Sequence, residues 1–279
     1  MERIFDSHAH YDDEAFGGVN PAIELLRSLH EDGGVARVTD CGADVASSIR
    51  AKELAEALPF VWFAAGIHPE HAQSADESAL AEIESLCRHP KCVAVGEIGL
   101  DYYYGKETRS EQIDILHRQL GLAEKLSLPV IIHDREAHAD SLEAVLSYSS
   151  VKGVFHSYSG SFETAKELLK HGWYLSFNGI ITFKNARKTV EVLEGIRDYE
   201  NGRYRDRILV ETDCPYLAPV PLRGSVNRSD NITYIAERCG TVLGIGKEAF
   251  LSLTYQNACR FFGLCEHEEK RLPKGCADS

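Results

Sequence analysis

The chain has 279 residues, with 30 Lys and Arg against 43 Asp and Glu, giving a formal net charge of −13 at pH 7. Hydrophobic residues make up 44% and charged residues 26%, an ordinary globular composition that excludes disordered, collagenous and low-complexity classes. The acidic excess argues against broad polyanion binding, which depends on Lys and Arg displacing counterions, so any nucleic acid must be held locally.

The predicted elements alternate from the start. A β-branched run at residues 4–7 leads into helical periodicity at 21–31, with Asn20 as the expected N-cap. Strands at 37–40, 61–66 and 93–97 are followed by helices at 45–58, 77–88 and 108–126. The pattern continues with strands at 130–133, 153–156 and 174–177, each trailed by a helix, at 136–148, 162–171 and 186–197. An eighth strand at 208–211 precedes two helices, at 230–243 and 247–262. Eight strand and helix units with no Gly/Pro/Ser-rich linker suit one α/β domain, a distorted (β/α)8 TIM-type barrel with extra C-terminal helices. The expected boundaries are residues 1–265 for the barrel and 266–279 for a polar C-terminal tail. Eight cysteines (Cys41, Cys87, Cys92, Cys214, Cys239, Cys259, Cys265, Cys276) lie scattered without a Cys-x-x-Cys pair. With no apolar leader and no run of roughly 18 apolar residues, reduced thiols in a cytoplasmic, membrane-free protein are expected.

Metal-capable side chains fall at the ends of strands. His8 and His10 close the first, His68 the third and Glu97 the fourth, while His133, His156 and Asp213 follow the fifth, sixth and eighth. In a barrel these ends share one face. The spacing of His8 and His10 turns both imidazoles to the same side of an extended strand. Imidazole suits borderline transition metals and carboxylates accept Mg²⁺, Mn²⁺ or Zn²⁺. Four histidines and two carboxylates (His8, His10, Glu97, His133, His156, Asp213) are more than one ion needs, and two ions about 3.5 to 4 Å apart would use them all.

Each residue alone has a plainer explanation. His-x-His is more often a polar strand end, His68 a loop residue before Pro69, and Asp213 an N-cap before Pro215. Taken together, strand ends of one polarity make the metal site the better reading. Tyr102, Tyr103 and Tyr104 fit either a base-stacking platform or loop packing, and Cys214 reads as a buried spectator thiol. Dinucleotide, Walker and nucleophile-elbow motifs are absent from the sequence.

The motifs Asp6-Ser7-His8-Ala9-His10-Tyr11, Gly66-Ile67-His68-Pro69, Gly96-Glu97-Ile98-Gly99-Leu100-Asp101-Tyr102, Pro129-Val130-Ile131-Ile132-His133-Asp134-Arg135 and Glu211-Thr212-Asp213-Cys214-Pro215-Tyr216-Leu217 resemble, in order, the TatD-related deoxyribonuclease family of metal-dependent hydrolases. The resemblance implies an amidohydrolase-type barrel that cleaves phosphodiester bonds, typically in DNA. It implies that His8, His10 and Asp213 hold one divalent ion, His133 and His156 a second, and that Glu97 bridges them. The chain departs from the family after strand eight, where Ser225, Arg228 and Ser229 replace the usual Lys, Glu and Pro.

Asp213 is expected to orient the attacking water, Arg135 to grip a phosphate oxygen, and His68 to hydrogen-bond the phosphate or protonate the leaving oxygen. With its acidic charge, a monomer acting as an exonuclease on single-stranded DNA ends is favoured. The alternatives are a metal-dependent esterase or amidohydrolase, such as a D-aminoacyl-tRNA deacylase, and an inert metal-holding interaction protein.

Overall fold

The computed structural model describes residues 3–264. The polar tail expected at 266–279, with Cys276, and the neighbouring Cys265 lie outside the described residues. Eight parallel strands form one sheet in sequential order: β1 (Ile4–Ala9), β2 (Val35–Cys41), β3 (Val61–Ala65), β4 (Cys92–Asp101), β5 (Val130–Arg135), β6 (Gly153–Phe155), β7 (Tyr174–Phe177) and β8 (Ile208–Val210). Between and after them run α1 (Val19–Glu31), α2 (Val45–Ala57), α3 (Glu77–Cys87), α4 (Arg109–Leu126), α5 (His138–Leu146), α6 (Phe162–Lys170), α7 (Arg187–Asp198), α8 (Ile232–Leu243) and α9 (Lys247–Phe261). This is the (β/α)8 barrel.

The sheet curls until β1 and β8 approach, and the seam is closed by individual bonds. Ser7 Oγ donates to the Val210 carbonyl at 2.9 Å, the Asp213 amide to the His8 carbonyl at 3.0 Å, and the His10 amide to the Cys214 carbonyl at 2.8 Å. Inside the barrel, Phe5, Ala64, Ala94, Ile131, Val154 and Leu209 form a buried apolar layer, floored by Ala258, Cys259 and Phe262 at the C-terminal end of α9. Above that floor the lumen turns polar, with Ser7 facing Ser176 at 3.4 Å and buried Thr39, His156 and Glu211 nearer the C-terminal mouth. The bulk of the hydrophobic core lies between the outer strand faces and the helices.

Local chemistry accounts for the helix starts. Asp44 and Ser47 form a reciprocal capping box on α2, and Asp76 and Ser161 cap α3 and α6. The expected Asn20 cap is corrected. Gly18, in a conformation open to glycine (φ 98°), caps α1, and the helix begins at Val19, which places Asn20 inside the first turn. Pro21 then sits where its missing amide leaves no intrahelical bond unmade.

Cys41, Cys87, Cys92, Cys214, Cys239 and Cys259 are buried free thiols. No helix among the described residues is long and apolar enough to cross a membrane.

Candidate metal centre

Five strand-end side chains gather around one carboxylate, Glu97, at the C-terminal mouth of the barrel. Buried Glu97 places Oε2 3.3 Å from His8 Nε2 and 3.5 Å from His10 Nε2. Its other oxygen, Oε1, lies 2.8 Å from both His133 Nδ1 and His156 Nε2. Asp213 Oδ1 completes the first group, 3.7 Å from His8 Nε2 and 3.4 Å from His10 Nε2. Within each group the nitrogens crowd together, 3.0 Å apart for His8 and His10 and 3.2 Å for His133 and His156. Two imidazole lone pairs approach this closely only around a shared proton or a cation. The donor set therefore fits divalent metal on either side of Glu97.

The backbone explains how these side chains meet. β1 loses regular register between Asp6 and Ala9, and β4 between Val95 and Ile98, the kind of irregularity that re-aims side chains. His8 and Glu97 sit inside those two breaks. Close approach of β4 to β5 requires Gly99, whose φ is 149° and where a Cβ would collide with the His133 carbonyl. Asp213 adopts a left-handed backbone, φ 58°, that turns the chain back just after β8.

Partners behind the rings set their orientation. His10 Nδ1 lies 2.7 Å from the Cys41 carbonyl, so that nitrogen carries a proton, and Nε2, turned to Glu97 and Asp213, is the atom that would give its lone pair to a bound ion. His133 Nε2 contacts Asp101 Oδ2 at 3.2 Å, and His156 Nδ1 faces buried Glu211 Oε1 at 3.4 Å. Sequence reasoning assigned no role to Asp101 or Glu211, although both stood in quoted motifs. The available signal was position, since Asp101 lies four residues beyond Glu97 and so on the same side of a regular strand.

Charge distribution follows from this packing. Burial alone would raise the Glu97 carboxyl, but the facing His156 and His8 hold it well below its usual value. Asp213 is likewise lowered against its burial, chiefly by its contact with His10, and His10 is raised to about 10 despite burial, by Asp213 and Glu97. In contrast, burial and the neighbouring His156 lower His8. Two carboxylates stay ionised beneath a cluster of imidazoles.

The two remaining predicted residues lie around this centre. His68 caps a 3-10 segment, Pro69–Ser74, with Nδ1 accepting from the Glu70 amide at 3.2 Å. That bond assigns its proton to Nε2, which points at Glu97 Oε1, 3.7 Å away. Burial, reinforced by His133, drives the His68 imidazole down to about 3, so it is neutral at pH 7 and donates as an imidazole, not as an imidazolium. Arg135 stands further out, exposed at the end of β5, with its guanidinium 4.2 Å and 4.7 Å from the ring centres of Tyr103 and Tyr104. Cys214 is fully buried and its thiol pushed well up by burial, which makes it inert.

All of this opens into a cleft of about 910 Å³. Its rim carries carboxylates, among them Asp12, Asp13, Asp44, Glu70 and Glu107, and its arginines are Arg50, paired to Asp12 at 3.2 Å, and Arg135. Of the three departing residues after β8, Ser225 and Arg228 are exposed and Ser229 is buried underneath. Ser229 Oγ donates to Asp6 Oδ2 at 2.7 Å and accepts from the Tyr11 hydroxyl at 2.8 Å, while its amide donates back to that hydroxyl oxygen at 3.0 Å. Asp6 in turn accepts from the Thr212 amide at 2.9 Å and from its hydroxyl, next to Asp213.

Comparison with known proteins agrees with the geometry. Residues 5–263 match the family model of TatD-related DNases. The chain is 37% identical over 262 residues to the uncharacterized metal-dependent hydrolase YabD of Bacillus subtilis (strain 168), covering 93% of this chain and 98% of that protein. It is 33% identical over 262 residues to the uncharacterized metal-dependent hydrolase YcfH of Escherichia coli (strain K12), covering 93% and 95%. Among solved structures, YjjV, a TatD homolog from Escherichia coli K12, superposes with a TM-score of 0.83 at 25% identity, covering 94% of this chain and 98% of that one. Fold, converging donor set and sequence together make this chain a metal-dependent hydrolase of the TatD-related DNase family.

Proposed function

We propose that the protein hydrolyses phosphodiester bonds in DNA, working as an exonuclease on single-stranded ends with two divalent ions, Mg²⁺, Mn²⁺ or Zn²⁺. The observation that carries this reading is the division of Glu97, one oxygen toward His8 and His10 and the other toward His133 and His156. A bridging carboxylate of this kind serves paired cations. In this assignment His8, His10 and Asp213 would hold one ion, His133 and His156 the other, and Glu97 would serve both. Bound there, the ions would supply positive charge that polarises a phosphoryl oxygen and acidifies a water.

The chain's own residues do the rest. The Asp213 carboxylate orients the attacking water and takes its proton. His68 Nε2–H donates to a phosphate oxygen, and the planar fork of Arg135 grips another at the rim. The acidic rim explains the preference for an end. A long duplex laid across those carboxylates would be repelled, whereas a single terminus reaching inward meets the buried centre directly. Buried free thiols fit the cytoplasm, and the domain spans residues 1–265, acting as a monomer.

The altered Ser225 to Ser229 loop favours one other reading, a metal-dependent ester hydrolase such as a D-aminoacyl-tRNA deacylase, whose scissile ester carries no charge of its own. The test is metal-stripped protein incubated with 3′- and 5′-labelled single-stranded and duplex DNA, with each ion added back and Glu97→Ala as control. Metal-dependent shortening that disappears in the variant supports the nuclease. Ester cleavage without DNA cleavage replaces it.

A further inference from the structure

Three consecutive tyrosines follow β4, and they do not share a fate. Tyr102 is the packing residue, half-buried with its hydroxyl donating to Asp140 Oδ2 at 2.5 Å. Tyr103 and Tyr104 are 54% and 70% exposed, edge to face with ring centres 4.7 Å apart, and Tyr104 lines the cleft. Loop packing does not explain them. The Arg135 guanidinium backs both rings and has no carboxylate within ion-pair distance among the described residues, so its N–H groups remain available above an acidic rim.

We propose that Tyr104, braced by Tyr103 and Arg135, is a nucleobase shelf: the unpaired base of the terminal nucleotide stacks on Tyr104 while Arg135 holds the adjoining phosphate. This rests on the nuclease reading and names its substrate feature, an accessible base face.

The shelf is built in register with the metal centre through one side chain. Asp101 Oδ1 accepts from the Tyr103 and Tyr104 amides, both at 2.9 Å, while Oδ2 of the same carboxylate contacts His133 Nε2 at 3.2 Å. Asp101 is itself anchored, its amide donating to buried Gln112 Oε1 at 2.8 Å. A single carboxylate thus fixes the distance between the stacking surface and the second histidine pair. Stacking accepts any base and gives no sequence readout, while a base inside a duplex cannot offer its face, so the shelf selects single-stranded ends and tolerates all four bases. Arginine backing a tyrosine also adds cation–π attraction without spending its hydrogen-bond donors.

The experiment compares a labelled single-stranded oligonucleotide of about ten residues with the same oligonucleotide carrying abasic nucleotides at both ends. Binding is read by fluorescence anisotropy on metal-free protein and cleavage on protein with metal restored. Wild type is expected to prefer the intact ends by about 5- to 150-fold, the range of one base–aromatic stack. Tyr104→Ala should collapse that ratio toward one, and Tyr104→Phe should keep it. A ratio near one in the wild type, or an unchanged ratio in Tyr104→Ala, overturns the shelf. If the wild type cleaves DNA with no such ratio, the shelf fails and the nuclease reading stands. If it binds with the ratio yet cleaves nothing under any metal, the shelf stands and the nuclease reading fails.

Discussion

Replacing Ser229 by alanine tests the buried network beneath the site. The hydroxyl donates to the Asp6 carboxylate at 2.7 Å and receives the proton of Tyr11 at 2.8 Å, and all three residues are buried. At pH 8, above the value of about 7 to which burial raises the Asp6 carboxyl, the variant loses a hydrogen bond to a charged acceptor, about 1.5 to 3 kcal/mol, and strands a buried hydroxyl proton, about 1 to 3 kcal/mol. The two effects share one site and do not add fully, so the expected loss is about 3 kcal/mol. Urea unfolding of metal-free protein measures it, and the thermal midpoint should fall by roughly 6 to 12 °C. Ser229→Pro sharpens the test. Arg228 is extended (φ −152°, ψ 158°) and Ser229 opens a 3-10 turn, so the ring fits the backbone, yet it also removes the amide that donates to Tyr11. Proline should cost about 1 kcal/mol more than alanine. A loss below about 1 kcal/mol in both variants would show that the hydroxyl is not satisfying a buried charge, and the reasoning would fall.

Three other outcomes are expected. Asp101→Asn keeps an acceptor for the tyrosine amides but removes the charge behind His133, so divalent-metal affinity should drop about 10- to 100-fold in calorimetric titration, and unchanged affinity would contradict the role. Asp40 is fully buried and its carboxyl is raised well above the usual range, by burial first and by the facing Asp12 second. A carboxyl raised in the folded state stabilises fully below its unfolded value, about 3.9, and that stability is lost as pH rises toward neutrality. The urea stability of metal-free Asp40→Asn relative to wild type should therefore rise from pH 4 to 8, the wild type alone carrying this loss; equal slopes refute it. Finally, adding a divalent metal at about 100 times its dissociation constant should stabilise the fold by about 2.7 kcal/mol, visible as a raised thermal midpoint that Glu97→Ala abolishes. An identical shift in the variant would place the ions elsewhere.

The strands were legible because parallel strands buried on both faces read as short β-branched runs, and the helices because their apolar stripes recur at helical spacing. The fourth strand was read too short. It continues past Glu97 to Asp101, and the two poor strand formers there, Gly99 and Asp101, are held extended by pairing with β5 up to Asp101 and Arg135. Convergence of His8, His10, Glu97, His133, His156 and Asp213 followed from strand polarity alone. What stayed hidden depends on register and distance along the chain. Nothing in the residues around His8 or Glu97 announces the two breaks that aim them, and the bonds linking Asp6 to Thr212 and Ser229 span more than 200 positions. Nor does the sequence around Arg135 show that its guanidinium backs two tyrosines at the rim.

The seam between β1 and β8 gives the barrel a point of first opening. Every other neighbouring pair of strands is joined by a ladder, whereas this one depends on a few separate bonds among the described residues, so spontaneous gaping starts there. His8 and His10 stand on one lip and Asp213 on the other, their donor atoms within 4.8 Å of one another. A cation gripped by all three would act as a rivet through the two edges of a rolled sheet. Amide exchange at His10 and Asp213, whose protons cross the seam, would then slow on metal addition more than exchange in the laddered strands opposite.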